Sequence, residues 1–318
     1  MHASAFFKIF PPPAFLLMRH AGLDISDDAI TCVAYKKGGS AISLSASQAL
    51  PAGLIEGGDM KDEAAFKDLL SAFDRNHNLS YVKVSLPEEK VYLFQTDVPS
   101  KDPRIAGQNI EFKLEENVPL SAQDAVFYFD FLPAEMTQGA LRASVSVVPR
   151  SYLEHLIALL RSTGMHPVAF ETAPKALARA VVRAGSRKTH LVVHIMHRKT
   201  GIYVVSGGVV CFTSTIPQGS QSENSADAYT TALAREVGRT HVYWNSHGGP
   251  TSPIGRIILC GAAAVSLEAQ LREKLEGQTP VSVGEIWQNQ FNLDKYVPSL
   301  SREASLDYAV AAGLAMEA

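Results

Sequence analysis

Hydrophobic residues along this chain follow two periods, alternation in short runs and a three-to-four-residue spacing in longer ones, which together predict an α/β protein. In the first half, strands are predicted at 14–24, 29–36, 41–50, 81–86, 91–98, 125–132 and 143–148, and helices at 62–73, 105–114, 151–162 and 172–182. In the second half, strands are predicted at 190–196, 200–205, 209–216 and 256–259, and helices at 226–243, 266–275 and 304–316. Three strands followed by helices, twice over, indicate a duplicated unit whose two lobes face each other across a cleft.

The 318 residues are enough for two lobes. We assign 19–86 and 144–188 to the first lobe and 189–318 to the second. Residues 87–143 interrupt the first repeat and are predicted to form a small inserted subdomain. Residues 1–18 are apolar but contain three consecutive prolines, which stop a helix, and no cleavage site follows. They are predicted to form an extended arm.

The hairpin predicted at 21–31 is the most informative motif. Its first strand ends on one acid, Asp24, whereas the matching unit at 190–219 has no acid in the corresponding place. The free backbone N–H groups of such a hairpin tip can bind phosphate. Any Asp-rich hairpin has the same pattern, so Asp24 equally fits a turn residue that caps its own backbone.

Charge and composition exclude several classes of function. The net charge is −3 and no run of Lys or Arg stands out, so nothing argues electrostatically for a nucleic-acid partner. No stretch reaches the roughly 18 consecutive apolar residues of a membrane span. Contact with a membrane is expected to be indirect, through a partner. The alternative is a short membrane or partner contact of the arm through Phe6, Phe7, Ile9 and Phe10.

Cysteine and histidine residues give no metal-binding pattern. The three cysteines lie far apart in apolar runs, which predicts buried, reduced thiols and a cytoplasmic setting: Cys32, Cys211 and Cys260. Of the three neighbouring histidines, His190 and His194 lie in the strand predicted at 190–196, and His197 directly follows it. There the first two share a face and the third points the other way, which disfavours a zinc site.

In four places the chain resembles the PilM family of type IV pilus assembly proteins, relatives of the cell-division protein FtsA in the actin-like superfamily. The matching motifs are Gly22-Leu23-Asp24-Ile25, Glu111-Phe112-Lys113 with Val118-Pro119-Leu120, Leu233 with Glu236-Val237 and Arg239, and Tyr308-Ala309-Val310 with Gly313-Leu314-Ala315. Their order and spacing cover nearly the whole chain. The resemblance implies an actin-like (RNase H-like) fold of two βββαβα lobes with a small inserted α/β subdomain.

The resemblance also implies a cytoplasmic protein at the inner face of the cytoplasmic membrane that binds ATP with Mg²⁺ between its lobes. The residues it implies for the nucleotide are Gly22, Asp24, Ser26, Asp27, Gly219, Glu236, Gly261 and Ala262, with Asp24 directing the metal. For Glu236 the alternative is a solvated helix face, and for Gly261 it is a strand-to-helix turn.

The implied partner is the N-terminal tail of a PilN-like inner-membrane protein, docked between the first lobe and the insert. The residues implied for that contact are Val84, Leu86, Phe112, Leu114, Val118 and Pro119. Each of them could instead be a core residue.

The phosphate loops depart from the family pattern. Ser26 stands in place of a glycine whose backbone could approach a phosphate closely, and Asp27 and Asp28 would repel a phosphate unless Mg²⁺ lies between them. His194 and Met196 replace the acid and the glycine of the second loop, so we expect no hydrolysis. Whether a nucleotide binds stays open. Two alternatives remain: an ATP-dependent phosphotransferase of the same fold, which needs an acid in the second loop, and an FtsA-like filament former that self-associates.

Overall fold

A computed structural model describes residues 19–133, 141–221, 226–248, 252–275 and 279–316. The arm predicted at 1–18 lies outside these residues. The strands are β1 Ala21–Ile25, β2 Ala29–Tyr35, β3 Ile42–Ala49, β4 Ile55–Glu56, β5 Asp59–Met60, β6 Tyr81–Leu86, β7 Tyr92–Asp97, β8 Ala125–Phe131, β9 Arg142–Pro149, β10 His166–Thr172, β11 Thr189–Ile195, β12 Thr200–Ser206, β13 Val209–Ile216, β14 Ile254–Gly261 and β15 Val281–Val283. The helices are α1 Glu63–His77, α2 Pro103–Asn117, α3 Arg150–Ser162, α4 Ala173–Val181, α5 Ala226–Tyr243, α6 Ala264–Lys274, α7 Ile286–Gln290, α8 Arg302–Ser305 and α9 Ala309–Ala315.

Two five-stranded sheets repeat one topology. The first has the order β10-β6-β1-β2-β3 and the second the order β13-β12-β11-β14-β15. In the first sheet β2 runs antiparallel to β1 and β3, while β6 and β10 run parallel to β1. In the second sheet β12 runs antiparallel to β11 and β13, while β14 and β15 run parallel to β11. This duplicated order confirms the actin-like fold class predicted from the sequence.

Helices cover both sheets. Helix α1 begins where the Asp62 carboxylate accepts a hydrogen bond from the Ala65 N–H at 3.0 Å. Its buried residues, Phe66, Leu70 and Phe73, share a hydrophobic core with Leu160 of α3 on the first sheet. Helices α4 and α9 pack against each other and against the first sheet, while sharing one hydrophobic core with the second sheet. These two helices thus join the two lobes.

A third sheet, in the order β7-β9-β8, forms the insert with helix α2. The predicted insert ends at 143, whereas β9 runs to Pro149 and pairs with both β7 and β8. Alternation predicted this strand but carries no information on which sheet it joins. The small sheet touches the second lobe, since the Ser144 hydroxyl donates to the Val210 carbonyl at 2.7 Å.

Several elements differ from the pattern-based prediction. Strand β10 was not predicted, and Pro167 is tolerated in it because β10 is an edge strand. Strand β15 and helix α7 are too short for a periodic signal. The helix predicted at 304–316 is interrupted at residues 306–308 rather than at Gly313, which lies inside α9.

The three cysteines are buried, as predicted, and burial raises the pKa of each thiol to about 12. Within the described part of the chain, no helix has both the length and the hydrophobicity to cross a membrane.

Candidate functional site

The cleft between the lobes contains a cavity of about 520 Å³, a size typical of small-molecule sites. The hairpin turns of both lobes line it, together with the end of β14 and the segment before α9. The polar and turn residues of its wall include Asp24, Ser26, Asp28, His194, His197, Arg198, Gly261, Ala262 and Asp307.

Asp24 and His194 occupy equivalent places, near the end of the first strand of each sheet. Burial raises the pKa of Asp24 to about 6, although a hydrogen bond from Ser85 works in the opposite direction. Burial also lowers the pKa of His194 to about 4, with the charge of Lys199 adding to the effect. At pH 7 His194 is therefore neutral, while Asp24 remains mostly ionised and becomes neutral below about pH 6. The strand of the second lobe that corresponds to β1 thus carries a neutral imidazole in the place of the Asp24 carboxylate.

The two hairpin turns contact each other across the cleft. We call residues 26–28 the first turn and residues 196–199 the second turn. The Asp28 carboxylate accepts one hydrogen bond from the His197 backbone N–H at 3.0 Å and another from Arg198 Nε at 2.6 Å. The Arg198 guanidinium also donates to the Asp27 carbonyl. The His197 N–H and the Arg198 guanidinium of the second turn thus both donate hydrogen bonds to the first turn.

Next to the contact between Asp28 and the second turn, the Asp27 side chain makes contacts of its own. Its carboxylate accepts hydrogen bonds from the Gly57 and Gly58 N–H groups at 3.1 and 3.3 Å, and lies 3.4 Å from Lys199 Nζ. Lys199 also pairs with Glu89. Burial alone would lower the pKa of Lys199, but the surrounding carboxylates outweigh it and raise that pKa.

The phosphate side of the cleft does not fit a triphosphate. The His197 N–H and the Arg198 guanidinium, which could hold an anion, already hold Asp28. A phosphate placed there would meet the carboxylate of Asp28 at close range, which is unfavourable. Among the described residues, no group of three or more His, Cys, Asp or Glu side chains is placed to hold a metal ion.

Four of the eight residues predicted for the nucleotide line the cavity, namely Asp24, Ser26, Gly261 and Ala262. Gly261 adopts a φ of +94°, and a Cβ there would lie 2.1 Å from the Ile195 carbonyl oxygen. A glycine is therefore required for β14 to end beside β11, whether or not a ligand binds.

The other four do not line the cavity. Gly22 packs on helix α9, where a Cβ would lie 2.0 Å from the Ala311 carbonyl oxygen. Asp27 faces Lys199 and the β4–β5 hairpin. Gly219 packs behind the second turn, and Glu236 pairs with Arg239 at 2.9 Å on helix α5.

The residues predicted for the partner divide into two groups. Four are buried in hydrophobic cores, which is the alternative weighed from the sequence: Val84, Leu86, Leu114 and Val118. The other two are exposed: Phe112, whose exposed fraction is 86%, and Pro119. Only the exposed pair can contact a partner without opening the core.

Sequence reasoning considered Asp28 only for its repulsion of a phosphate, and it missed Arg198 and Lys199. The signal was present, because two equivalent turns of a duplicated fold carry Asp27-Asp28 in one copy and Arg198-Lys199 in the other. Opposite charges in equivalent turns of facing lobes predict an ion pair between the lobes. Asp307 gave no comparable signal, since only the tertiary fold brings it to the cavity.

No protein-family model matches the sequence, and no curated protein matches it either. Among solved structures, a chain of the PilM-PilN type IV pilus biogenesis complex is 18% identical, with a TM-score of 0.75 over 95% of this chain and 98% of that one. The cytoplasmic domain of EpsL, an inner membrane component of the type II secretion system of Vibrio cholerae, is 11% identical, with a TM-score of 0.50 over 92% of this chain and 94% of that one. At such identities a likeness concerns the fold. The resemblance to PilM is confirmed at that level: the chain has an actin-like fold similar to that of a chain of the PilM-PilN complex.

Proposed function

We propose that this protein is a cytoplasmic scaffold of the type IV pilus inner-membrane assembly platform that binds the N-terminal tail of a PilN-like protein. The observation that carries the proposal is the similarity, over 95% of its length, to a chain of the PilM-PilN complex. The sequence motifs of the insert and of the C-terminal helix support the same family. In this role the protein acts by binding, at the inner face of the cytoplasmic membrane.

Helix α2 of the insert offers the apolar surface that such a tail needs. Ile105 and Phe112 are seven residues apart and so lie on one face of the helix, with exposed fractions of 47% and 86%. Pro119 is exposed just beyond the end of the helix. Short peptides dock by placing their own apolar residues against exposed apolar surfaces and grooves of a partner. We place the tail against Phe112 and Pro119.

We propose no hydrolytic activity for the cleft. Phosphoryl transfer depends on groups that position the metal and the attacking group around the phosphates. The family resemblance implies that an acid of the second loop is one of these groups. Here the second lobe presents a neutral histidine, His194, opposite Asp24. The ATP with Mg²⁺ predicted from the sequence remains a hypothesis, and a titration of the protein with MgATP tests it.

Tail binding is tested by calorimetric titration with a synthetic peptide of a PilN-like N-terminal tail. We expect Phe112→Ser to weaken binding at least tenfold, because the anchor that the tail covers is removed. The matched control is Val297→Ser, which changes a valine with an exposed fraction of 76% on the second lobe. Neither change is expected to lower the unfolding midpoint, because both side chains are already in water.

Two results would count against this proposal. Absence of peptide binding to the wild-type protein would remove the scaffold role. Equal weakening by both serine variants would show that the peptide binds any exposed apolar residue.

A further inference from the structure

The contact between the two turns resembles an anion site that is already filled. Asp28 reaches across the cleft from the first turn, and its side chain is only 14% exposed. It receives the His197 backbone N–H and the Arg198 Nε, at 3.0 and 2.6 Å. Backbone N–H groups of tight turns and guanidinium groups are the donors that proteins use to bind phosphate.

The surrounding contacts hold Asp28 in this position. Arg198 donates to the Asp27 carbonyl, so its guanidinium bridges two residues of the first turn. The Asp27 carboxylate is fixed by the Gly57 and Gly58 N–H groups. Each acid of the first turn therefore faces one cation of the second, and no unpaired cation of the second turn is left to attract a phosphate.

We propose that the Asp28 carboxylate is a built-in substitute for a bound phosphate: it occupies the anion position of the second turn and holds the two lobes together without a ligand. A phosphate can enter only by displacing Asp28. The residue thereby sets the specificity of the cleft against phosphate-bearing ligands. The inference does not depend on the proposed tail binding, because it concerns the contact between the lobes alone.

Chemical rescue by inorganic phosphate tests this proposal. Asp28→Ala removes the carboxylate and leaves the His197 N–H and the Arg198 guanidinium without their acceptor. We expect this variant to bind inorganic phosphate at least tenfold more tightly than the wild type, measured by calorimetry. We also expect a lower thermal unfolding midpoint, which added phosphate raises toward the wild-type value.

Asp59→Ala is the matched control. Asp59 pairs with Lys90 Nζ at 2.6 Å on the surface, so the change also removes a carboxylate from a cation, but no backbone N–H is involved. We expect phosphate to have the same small effect on this variant as on the wild type. An equal phosphate response in both alanine variants would overturn the proposal, because it would show non-specific screening of an unpaired cation.

Small-angle scattering supplies the test of closure. The wild type is expected to show the same radius of gyration with and without phosphate, whereas Asp28→Ala is expected to be larger until phosphate is added.

Asp28→Asn gives a milder variant, because its amide oxygen can still accept a hydrogen bond from the His197 N–H. An Asp28→Asn protein with wild-type stability and no gain in phosphate affinity would overturn the proposal. Tight binding of MgATP to the wild type would also overturn it.

Discussion

At the scale of single residues, burial shifts the pKa values of Asp24 and His194 in opposite directions. They occupy equivalent strand ends of the two lobes, and burial disfavours the charged form of both. For an acid this raises the pKa, and for a base it lowers it. The same physical cause thus gives two opposite dependences of stability on pH.

We expect Asp24→Asn to stabilise the protein at pH 7 by up to about 3 kcal/mol, from a pKa raised by about two units. The folded state holds the Asp24 proton more tightly than the unfolded state. Stability is therefore lost as the pH rises from about 4 through about 6, and the asparagine variant avoids that loss. Urea unfolding at a series of pH values measures the difference, which should vanish below about pH 4.

His194→Gln should change the pH dependence of the protein's stability in the opposite sense. The folded-state pKa of His194 is about 4, so the unfolded state takes up the proton first as the pH falls below about 6.5. The wild type should lose stability over that range, and the glutamine variant should lose less. Parallel pH profiles for the two single variants would contradict the opposed pKa shifts.

At the scale of elements, the packing of β1 on helix α9 sets the position of the first turn. Gly22 lies where the strand crosses the helix, and we expect Gly22→Ala to destabilise the protein by about 1–3 kcal/mol or more, because the added methyl group would overlap the Ala311 carbonyl. Denaturant unfolding measures the cost.

The matched control for this prediction is Gly255→Ala in strand β14. A Cβ at Gly255 would have only the Thr189 carbonyl oxygen nearby, at 3.8 Å, which is an ordinary contact. This change should be close to neutral. Equal costs at Gly22 and Gly255 would contradict the prediction, because the contact with α9 could then not account for the effect, and strand propensity by itself favours alanine over glycine.

At the scale of the whole molecule, helices α4 and α9 and the two turns connect the lobes, so we expect them to unfold together. Both tryptophans, Trp244 and Trp287, belong to the core shared with the second sheet. Leu70 is buried in the core of the first sheet. Leu70→Ala should cost about 2–5 kcal/mol and shift the tryptophan fluorescence transition and the circular dichroism transition equally.

The corresponding change in the second lobe, Leu271→Ala, provides the comparison, because Leu271 is equally buried in the core that contains both tryptophans. It should shift the two transitions by the same amount as each other. A fluorescence midpoint that stays unchanged in Leu70→Ala but moves in Leu271→Ala would show that the lobes unfold independently.

Local patterns determined most of the elements of this protein. Alternation and helical spacing depend on neighbouring residues, so β6 and α5 have the predicted bounds, or nearly so, and α1 begins at its predicted cap, Asp62. The duplication also follows from the sequence alone, since both halves repeat the same order of strands and helices. With the family resemblance, this was enough to predict the actin-like fold.

Tertiary structure alone decided which residues meet at the cleft. Asp28 and Arg198 are distant in the chain, and their contact depends on how two lobes face each other, which no local period encodes. The same holds for Gly22, where the sequence permitted a phosphate-loop glycine and the approach of α9 makes it a packing residue. Local propensities act over a few residues, whereas charge pairing and close packing act across whatever surfaces the fold brings together.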